Sequence, residues 1–493
     1  MSGNLNAKRC CSALLAVLVC AVAGCGGEQS EMHFVENTVA AKTVHRQGRK
    51  VVQKTVDEHF GTPLDSVAWL KLPVNYGKAE GTVKSATDKS VMVDFNPETS
   101  NIESLNSPEI ARAGLLFTSG TNAGKSLLLA SYDAKGKSFA LLNATEAVPA
   151  AGDQFVVAGQ ILRHGRKLYA RHCQHCHGVS GDGDGTTAKY LNPRPRDYRL
   201  GVFKFKSTKR DDRPTRDDLT RVIAQGVPGT YMPAFVPMLK DAELAALVEY
   251  VRWLAMRGQI ERQLLVELNG YFPADRIRKE AKESGTGVSE LEKQLAKQLQ
   301  EYLQNETSEG FPATFNEIVD EIVQAWEAVD DPAAVVMPIN AERQPVARVP
   351  DTAKSRQHGK ELFLKDGKCI NCHGPAGRGN GFQTEDFFKN DTFGATSEIY
   401  PERGLHDDWG QPIKPRDLTR GIYRGGRRPI DIYRRVSQGI KGTLMPAAPA
   451  TLKPEDIWDL VNYVLSVPFE SSSPKAEKPH GIAGHSAEQG HAN

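Results

Sequence analysis

Cysteine is scarce in this chain, and every copy has a place. Of the 8 cysteines in 493 residues, Cys10, Cys11 and Cys20 fall in an N-terminal apolar segment and Cys25 ends it. The other four form two C-x-x-C pairs, so none is left for a structural disulfide or a zinc site. Charge of one sign is also lacking: the net charge is +2, which gives nucleic acid no global attraction. After the N-terminal segment no hydrophobic run reaches the ~18 residues that a spanning helix needs. A phosphate loop is missing too. Gly120-Thr-Asn-Ala-Gly124-Lys125-Ser126 has Ser119 where a Walker motif needs its first glycine, and it precedes a strand pattern, so it reads as a hairpin loop.

What remains is ordinary for globular protein, with 25% charged and 40% hydrophobic residues and length for about three domains of ~100–200 residues each. Residues 1–24 resemble a lipoprotein signal peptide. Lys8-Arg9 precedes an apolar stretch, and Val22-Ala23-Gly24-Cys25 resembles a bacterial lipobox, which implies cleavage before Cys25 and lipidation of its thiol. The expectation is a protein exported across the cytoplasmic membrane and lipid-anchored there, facing the periplasm, with several acyl chains holding it.

Residues 25–75 read as a tether and polar lead-in. Residues 76–159 show short apolar runs broken by turn residues, including Gly81-Thr-Val-Lys, Val91-Met-Val-Asp-Phe, Ser126-Leu-Leu-Leu, Ser138-Phe-Ala-Leu-Leu and Phe155-Val-Val. They predict a small β-rich domain, barrel or sandwich. It has neither cysteine nor a histidine cluster, which argues against a copper centre. Residues 258–351 predict a helical insert and linker. Ser289-x-x-Glu292 and Thr314-x-x-Glu317 read as capping boxes ahead of two amphipathic helices. Residues 469–493, rich in Ser, Pro, Gly and His, read as a disordered tail.

The chemistry sits in Cys173-Gln-His-Cys176-His177 and its twin Cys369-Ile-Asn-Cys372-His373. C-x-x-C-H is the attachment motif of c-type haem: the two thiols form thioethers and the adjacent histidine ligates iron. The surroundings repeat. His164-Gly165-x-x-Leu168-Tyr169 matches His358-Gly359-x-x-Leu362-Phe363; Pro195-Arg196-Asp197 matches Pro415-Arg416-Asp417. Gly-Thr-Tyr-Met232-Pro-Ala matches Gly-Thr-Leu-Met445-Pro-Ala, and Leu247-Val-Glu-Tyr250-Val matches Leu460-Val-Asn-Tyr463-Val. Residues 160–257 and 352–468 therefore form two related units.

Each unit resembles a class I c-type cytochrome. The resemblance implies a mainly α protein with two cytochrome c-like helical haem domains, joined here to a helical insert and a small β-rich N-terminal domain. It implies two covalently bound haem c groups, with His177 and His373 as proximal ligands and Met232 and Met445 as distal ones. Met238 and Met337 are rival candidates. It also implies that Gly165 and Gly359 let one helix cross another closely, against faces carrying Tyr250 and Tyr463. Gly359 lies ten residues before its first cysteine and Gly165 eight, so the second unit needs a spacer, read as the Asp366-Gly367 turn. Pro195 and Pro415 are candidates to accept the proximal histidine's Nδ1–H. Arg196 and Arg416 either meet haem propionates or stand in solvent. Trp409 either donates to a propionate or fills a core, and His406 reads as surface.

The expected function is single-electron transfer between respiratory-chain partners, such as a quinol-oxidising complex, a terminal oxidase or a periplasmic dehydrogenase, with no nucleic acid involved. The alternatives are a dihaem, peroxidase-like enzyme or a haem subunit of a larger respiratory complex. The unequal loops of the two units predict two different potentials.

Overall fold

A computed structural model describes residues 33–98, 105–106, 108–390 and 398–470. The signal segment, Cys25 and the tail from residue 471 lie outside the described residues. No helix among the described residues is long and apolar enough to cross a membrane.

The lead-in is more than a tether. Helix α1 (Arg46–Phe60) buries Val52, Val56 and Phe60, and with Phe34 these side chains join the same core as the first haem unit. They lie on one face at helical spacing, which is why a stretch polar on average still packs.

Among the described residues, six antiparallel strands then close into a barrel in the order β1-β2-β5-β4-β3-β6. They are β1 (Ala79–Ala86), β2 (Ser90–Phe95), β3 (Gly114–Phe117), β4 (Ser126–Asp133), β5 (Ser138–Leu141) and β6 (Gln154–Ala158). The registers Val83↔Val93, Leu115↔Val157 and Phe117↔Phe155 place alternating apolar residues on one face. All six are buried in the barrel core, at roughly 1.5–3 kcal/mol each. Strand β3, Gly-Leu-Leu-Phe, carries no polar alternation from which to predict it. The Gly120–Lys125 loop joins β3 to β4 through two left-handed glycines, Gly120 and Gly124, and opens no helix.

Strand β6 runs through Gly159, in the left-handed region, into α2 (Gln160–His172). The motif helix α3 (Gln174–His177), α4 (Arg216–Gln225) and α5 (Asp241–Tyr271) complete the first unit. No break in the backbone marks residue 257, where the insert was expected to begin: α5 runs unbroken for 31 residues. It survives because it is enclosed on most sides. Its interior cations are paired where they are buried: Arg252 with Asp330 at 3.0 Å and Arg257 with Glu261 at 2.8 Å.

Three further helices follow: α6 (Arg276–Ser284), α7 (Val288–Gln304) and α8 (Phe311–Glu327). Neither expected capping box forms. Helix α7 starts from Gly287 with no side-chain cap, and α8 starts three residues before Thr314, from Gly310 with Pro312 in its first turn. Proline's fixed φ and the burial of Phe311 move that start upstream. The amphipathic faces form, with Leu291, Leu295 and Leu299 buried on α7 and Ile322 and Trp326 on α8, while Val288 at the start of α7 is exposed.

The second unit contains α9 (Ala353–Leu364), the motif helix α10 (Ile370–His373), α11 (Pro429–Gln438) and α12 (Pro454–Glu470), which begins at its proline. A small ribbon, β7 (Leu405–His406) with β8 (Pro412–Ile413), lies in its long loop. His406 is buried there, stacked on Tyr400 at 3.7 Å, and is not at the surface as expected.

Candidate haem centres

Both units rest on one crossing of helices. A Cβ added at Gly165 would lie 2.1 Å from the carbonyl oxygen of Ala246 and 2.8 Å from Tyr250 Cβ; at Gly359 it would lie 2.0 Å from that of Asp459 and 2.9 Å from Tyr463 Cβ. Only glycine allows backbones this close. The crossings α2/α5 and α9/α12 therefore have the same geometry, despite the extra residues in the second unit. Those residues form a turn after α9, where Gly367 N–H donates to the Leu362 carbonyl at 2.7 Å and Lys368 takes φ 52.

The motif helices follow directly, and each ends at a glycine with positive φ, Gly178 or Gly374. The loops beyond carry a second repeat. Gly181, Gly183 and Gly185 match Gly377, Gly379 and Gly381. Gly183 and Gly379 fit beneath the Pro195 and Pro415 carbonyls, and Gly185 and Gly381 against the motif backbone at His175 and Asn371. The signal, G-x-x-G-x-G-x-G after both motifs, is in the sequence.

The motif histidines are held alike, with one correction. His177 Nδ1–H donates to the carbonyl of Arg196 at 3.1 Å, and His373 Nδ1–H to that of Arg416 at 3.2 Å. The acceptors are one residue beyond Pro195 and Pro415. Glycine contacts at both prolines direct those carbonyls elsewhere. Burial pushes the His177 imidazole down to about 4, and His373 down as well, so both rings are neutral with Nε2 free to ligate. The same burial raises the Cys173 thiol to about 12 and that of Cys369 to about 11.

The surroundings differ. Tyr198 stacks on His177 at 4.8 Å, whereas Leu418 occupies the matched position in the second unit. Tyr169 donates its hydroxyl to the Gly178 carbonyl at 2.9 Å, and Phe363 has no hydroxyl to do so.

The methionine loops are built from matching hydrogen bonds. Val227 N–H donates to the Met232 carbonyl at 3.1 Å and Met232 N–H to Thr230 Oγ1 at 3.1 Å. Ile440, Met445 and Thr443 repeat this at 3.1 and 3.2 Å. Met232 and Met445 are both half-buried, while Met238 and Met337 are exposed at 57% and 56%.

Two donors where the units meet have no protein acceptor. Arg416 Nε and Trp409 Nε1 are buried and meet no acceptor among the described residues. Trp409 is neither a core side chain nor confined to its own unit. The Arg196 guanidinium stacks on its ring at 3.7 Å, and Lys204, also from the first unit, bonds neighbouring Asp407 at 3.1 Å. Paired thiols beside a neutral imidazole, with buried donors that lack a protein partner, fit a covalently attached, acidic macrocycle.

Residues 160–251 match the family model for cytochrome c oxidase, cbb3-type, subunit III, and residues 357–468 match the model for cytochrome c. The chain carries two cytochrome c domains. These domains imply covalently bound haem c and haem-based electron transfer. No curated protein matches the chain. A solved structure from the reducing HAO-like protein complex of Kuenenia stuttgartiensis is 24% identical over 62% of this chain and 95% of its own, at a TM-score of 0.40, too low to bear on fold or activity.

Proposed function

We propose that this protein is an exported, lipid-anchored dihaem cytochrome c that carries single electrons between respiratory partners, with two haems in His/Met ligation. The observation that carries the reading is the matching pair of ligand frames: histidine on a carbonyl, methionine on a threonine hydroxyl, in both cytochrome domains. Haem supplies the redox couple. The chain's residues bind it, exclude water and set its potential. Cys173 and Cys176, and Cys369 and Cys372, would hold the vinyl carbons. His177 with Met232, and His373 with Met445, would hold the irons. Thioether ligation favours the reduced iron and raises the potential. Arg416 and Trp409 would meet propionates.

Transfer between the haems is favoured by how the domains meet. The extended segment whose carbonyl holds each motif histidine lies in their interface. The Arg196 side chain stacks on Trp409 of domain 2, and the Arg416 side chain packs against Gly229 of domain 1. A quinol-oxidising complex, a terminal oxidase or a periplasmic dehydrogenase would be the external partner. The family model matched by domain 1 is a subunit of an oxidase, in keeping with a place beside a larger redox complex.

The test is the absorption spectrum of the purified holoprotein. It should show two low-spin haems with the near-infrared band of methionine-bound Fe(III), and Met445→Ala should remove half of that band while Met337→Ala leaves it intact. A high-spin haem in either oxidation state would overturn the carrier reading in favour of an enzyme. Cys25→Ser should release the protein from the membrane fraction.

A further inference from the structure

Each cytochrome domain reaches across the interface with an arginine to the loop that bears the other domain's methionine. From domain 1, Arg210 donates Nη1–H to the carbonyl of Met445 at 2.9 Å and Nη2–H to that of Thr443 at 3.4 Å. The neighbouring Asp211 pairs with Lys441 of the same loop at 2.7 Å. From domain 2, Arg424 donates to the carbonyl of Gly229 at 3.3 Å, three residues before Met232.

The two grips are unequal. The Met445 carbonyl accepts from Ile440 N–H within its own loop and from Arg210 across the interface, so both of its lone pairs are used. The Met232 carbonyl accepts from Val227 N–H, and no donor from the other domain reaches it among the described residues. Fit is tight on the domain 2 side as well: a Cβ at Gly439 would come within 2.6 Å of Arg210 Nη1. The left-handed φ of Gly439 and its lack of a side chain are what admit the guanidinium to the loop.

We propose that Arg210 is a positioning residue for Met445, so that domain 1 sets the axial ligand strength of the haem in domain 2. This rests on the His/Met reading above. A thioether is a weak ligand presented by a short loop, and hydrogen bonds to the residue behind a ligand commonly fix its orientation. Arg210 anchors the ligand's own carbonyl from outside its domain. Docking of the domains and ligation of the second iron are thereby linked, and Arg424 makes a weaker reciprocal link.

The experiment uses the full-length holoprotein and follows the near-infrared methionine band against pH, together with a redox titration. In Arg210→Gln, half of the band should disappear at about tenfold lower hydroxide concentration, one pH unit earlier, the worth of one charge-assisted hydrogen bond. One of the two potentials should fall with it. Arg210→Lys, which keeps the charge and loses the fork, should recover part of the shift. Arg221→Gln serves as control: Arg221 pairs across the same interface with Asp431 at 3.0 Å and touches no methionine loop, so it should leave the band unchanged. A wild-type profile in Arg210→Gln, or an equal shift in Arg221→Gln, would overturn the proposal while the ligation reading stands. Absence of the band from the wild type would overturn both.

Discussion

Replacing Gly359 by alanine sets two opposing effects against each other, and the structure decides the sign. In a helix interior alanine is favoured over glycine by ~1 kcal/mol. Against that, the new Cβ would sit 2.0 Å from the Asp459 carbonyl oxygen and 2.9 Å from Tyr463 Cβ. Carbon contacts are comfortable at roughly 3.5–4.0 Å, so α9 and α12 must part by about 1 Å or more. Overpacking of this kind costs ~1–3 kcal/mol, and here the upper end applies because backbone cannot rotate out of the way. A net loss of about 2 kcal/mol follows, or a melting temperature lower by about 10 °C if domain 2 unfolds as a unit of roughly 100 residues. Thermal unfolding of the holoprotein followed at the haem absorption measures it. Gly270→Ala is the contrast: it is exposed near the end of α5 with nothing within 4 Å of the added carbon, so it should be neutral or stabilising by up to ~1 kcal/mol. If Gly359→Ala matched the wild type or exceeded it, the close-crossing account of both domains would be wrong.

Other outcomes follow from the same structure. Glu261→Ala would strand the fully buried Arg257 guanidinium and remove the acceptor of Asn37 N–H, costing ~3–5 kcal/mol in denaturant unfolding. His358 bonds Asp459 at 2.8 Å, which raises its pKa above the ordinary 6.5. A raised folded-state pKa adds stability that is fully present below the unfolded value and is lost as pH rises through the folded one. His358→Ala should therefore lower the melting temperature more at pH 5.5 than at pH 8.5. An equal loss at both would remove the histidine–aspartate bond from the account. Tyr198→Leu, which removes the ring stacked on His177 and places there the residue found at the matched position of the second unit, should narrow a gap between the two potentials in a redox titration.

Much of the haem frame was legible because it is local and repeated. C-x-x-C-H, the flanking glycines and the two methionine loops are short motifs whose chemistry depends on near neighbours. The histidine's acceptor was misplaced by one residue, since which carbonyl faces the imidazole depends on glycine contacts 12 and 36 residues away, at Gly183 and Gly379. The capping boxes failed because Gly287 and Gly310 start those helices instead, and the lead-in helix went unread because its few apolar residues are hydrophobic only in relation to a partner surface. The continuity of α5 past residue 257 has a similar reason: burial of Arg252 and Arg257 is sensible only once Asp330 and Glu261 are seen beside them.

By itself the sequence carried the mark of the chemistry, a C-x-x-C-H motif in each of two cytochrome c domains, because that information sits in residues within five positions of one another. The helix crossings followed from the resemblance to class I c-type cytochromes, through Gly165 with Tyr250 and Gly359 with Tyr463, and the close approach at both glycines agrees with it. Tertiary structure alone decided what lies between the two centres. Arg196 stacks on Trp409, Arg210 reaches Met445 from 235 residues away, and Lys204 meets Asp407. Such pairs have no period or motif. They exist because folding brings two separately legible domains face to face, and desolvated cations there must find rings, carbonyls or carboxylates.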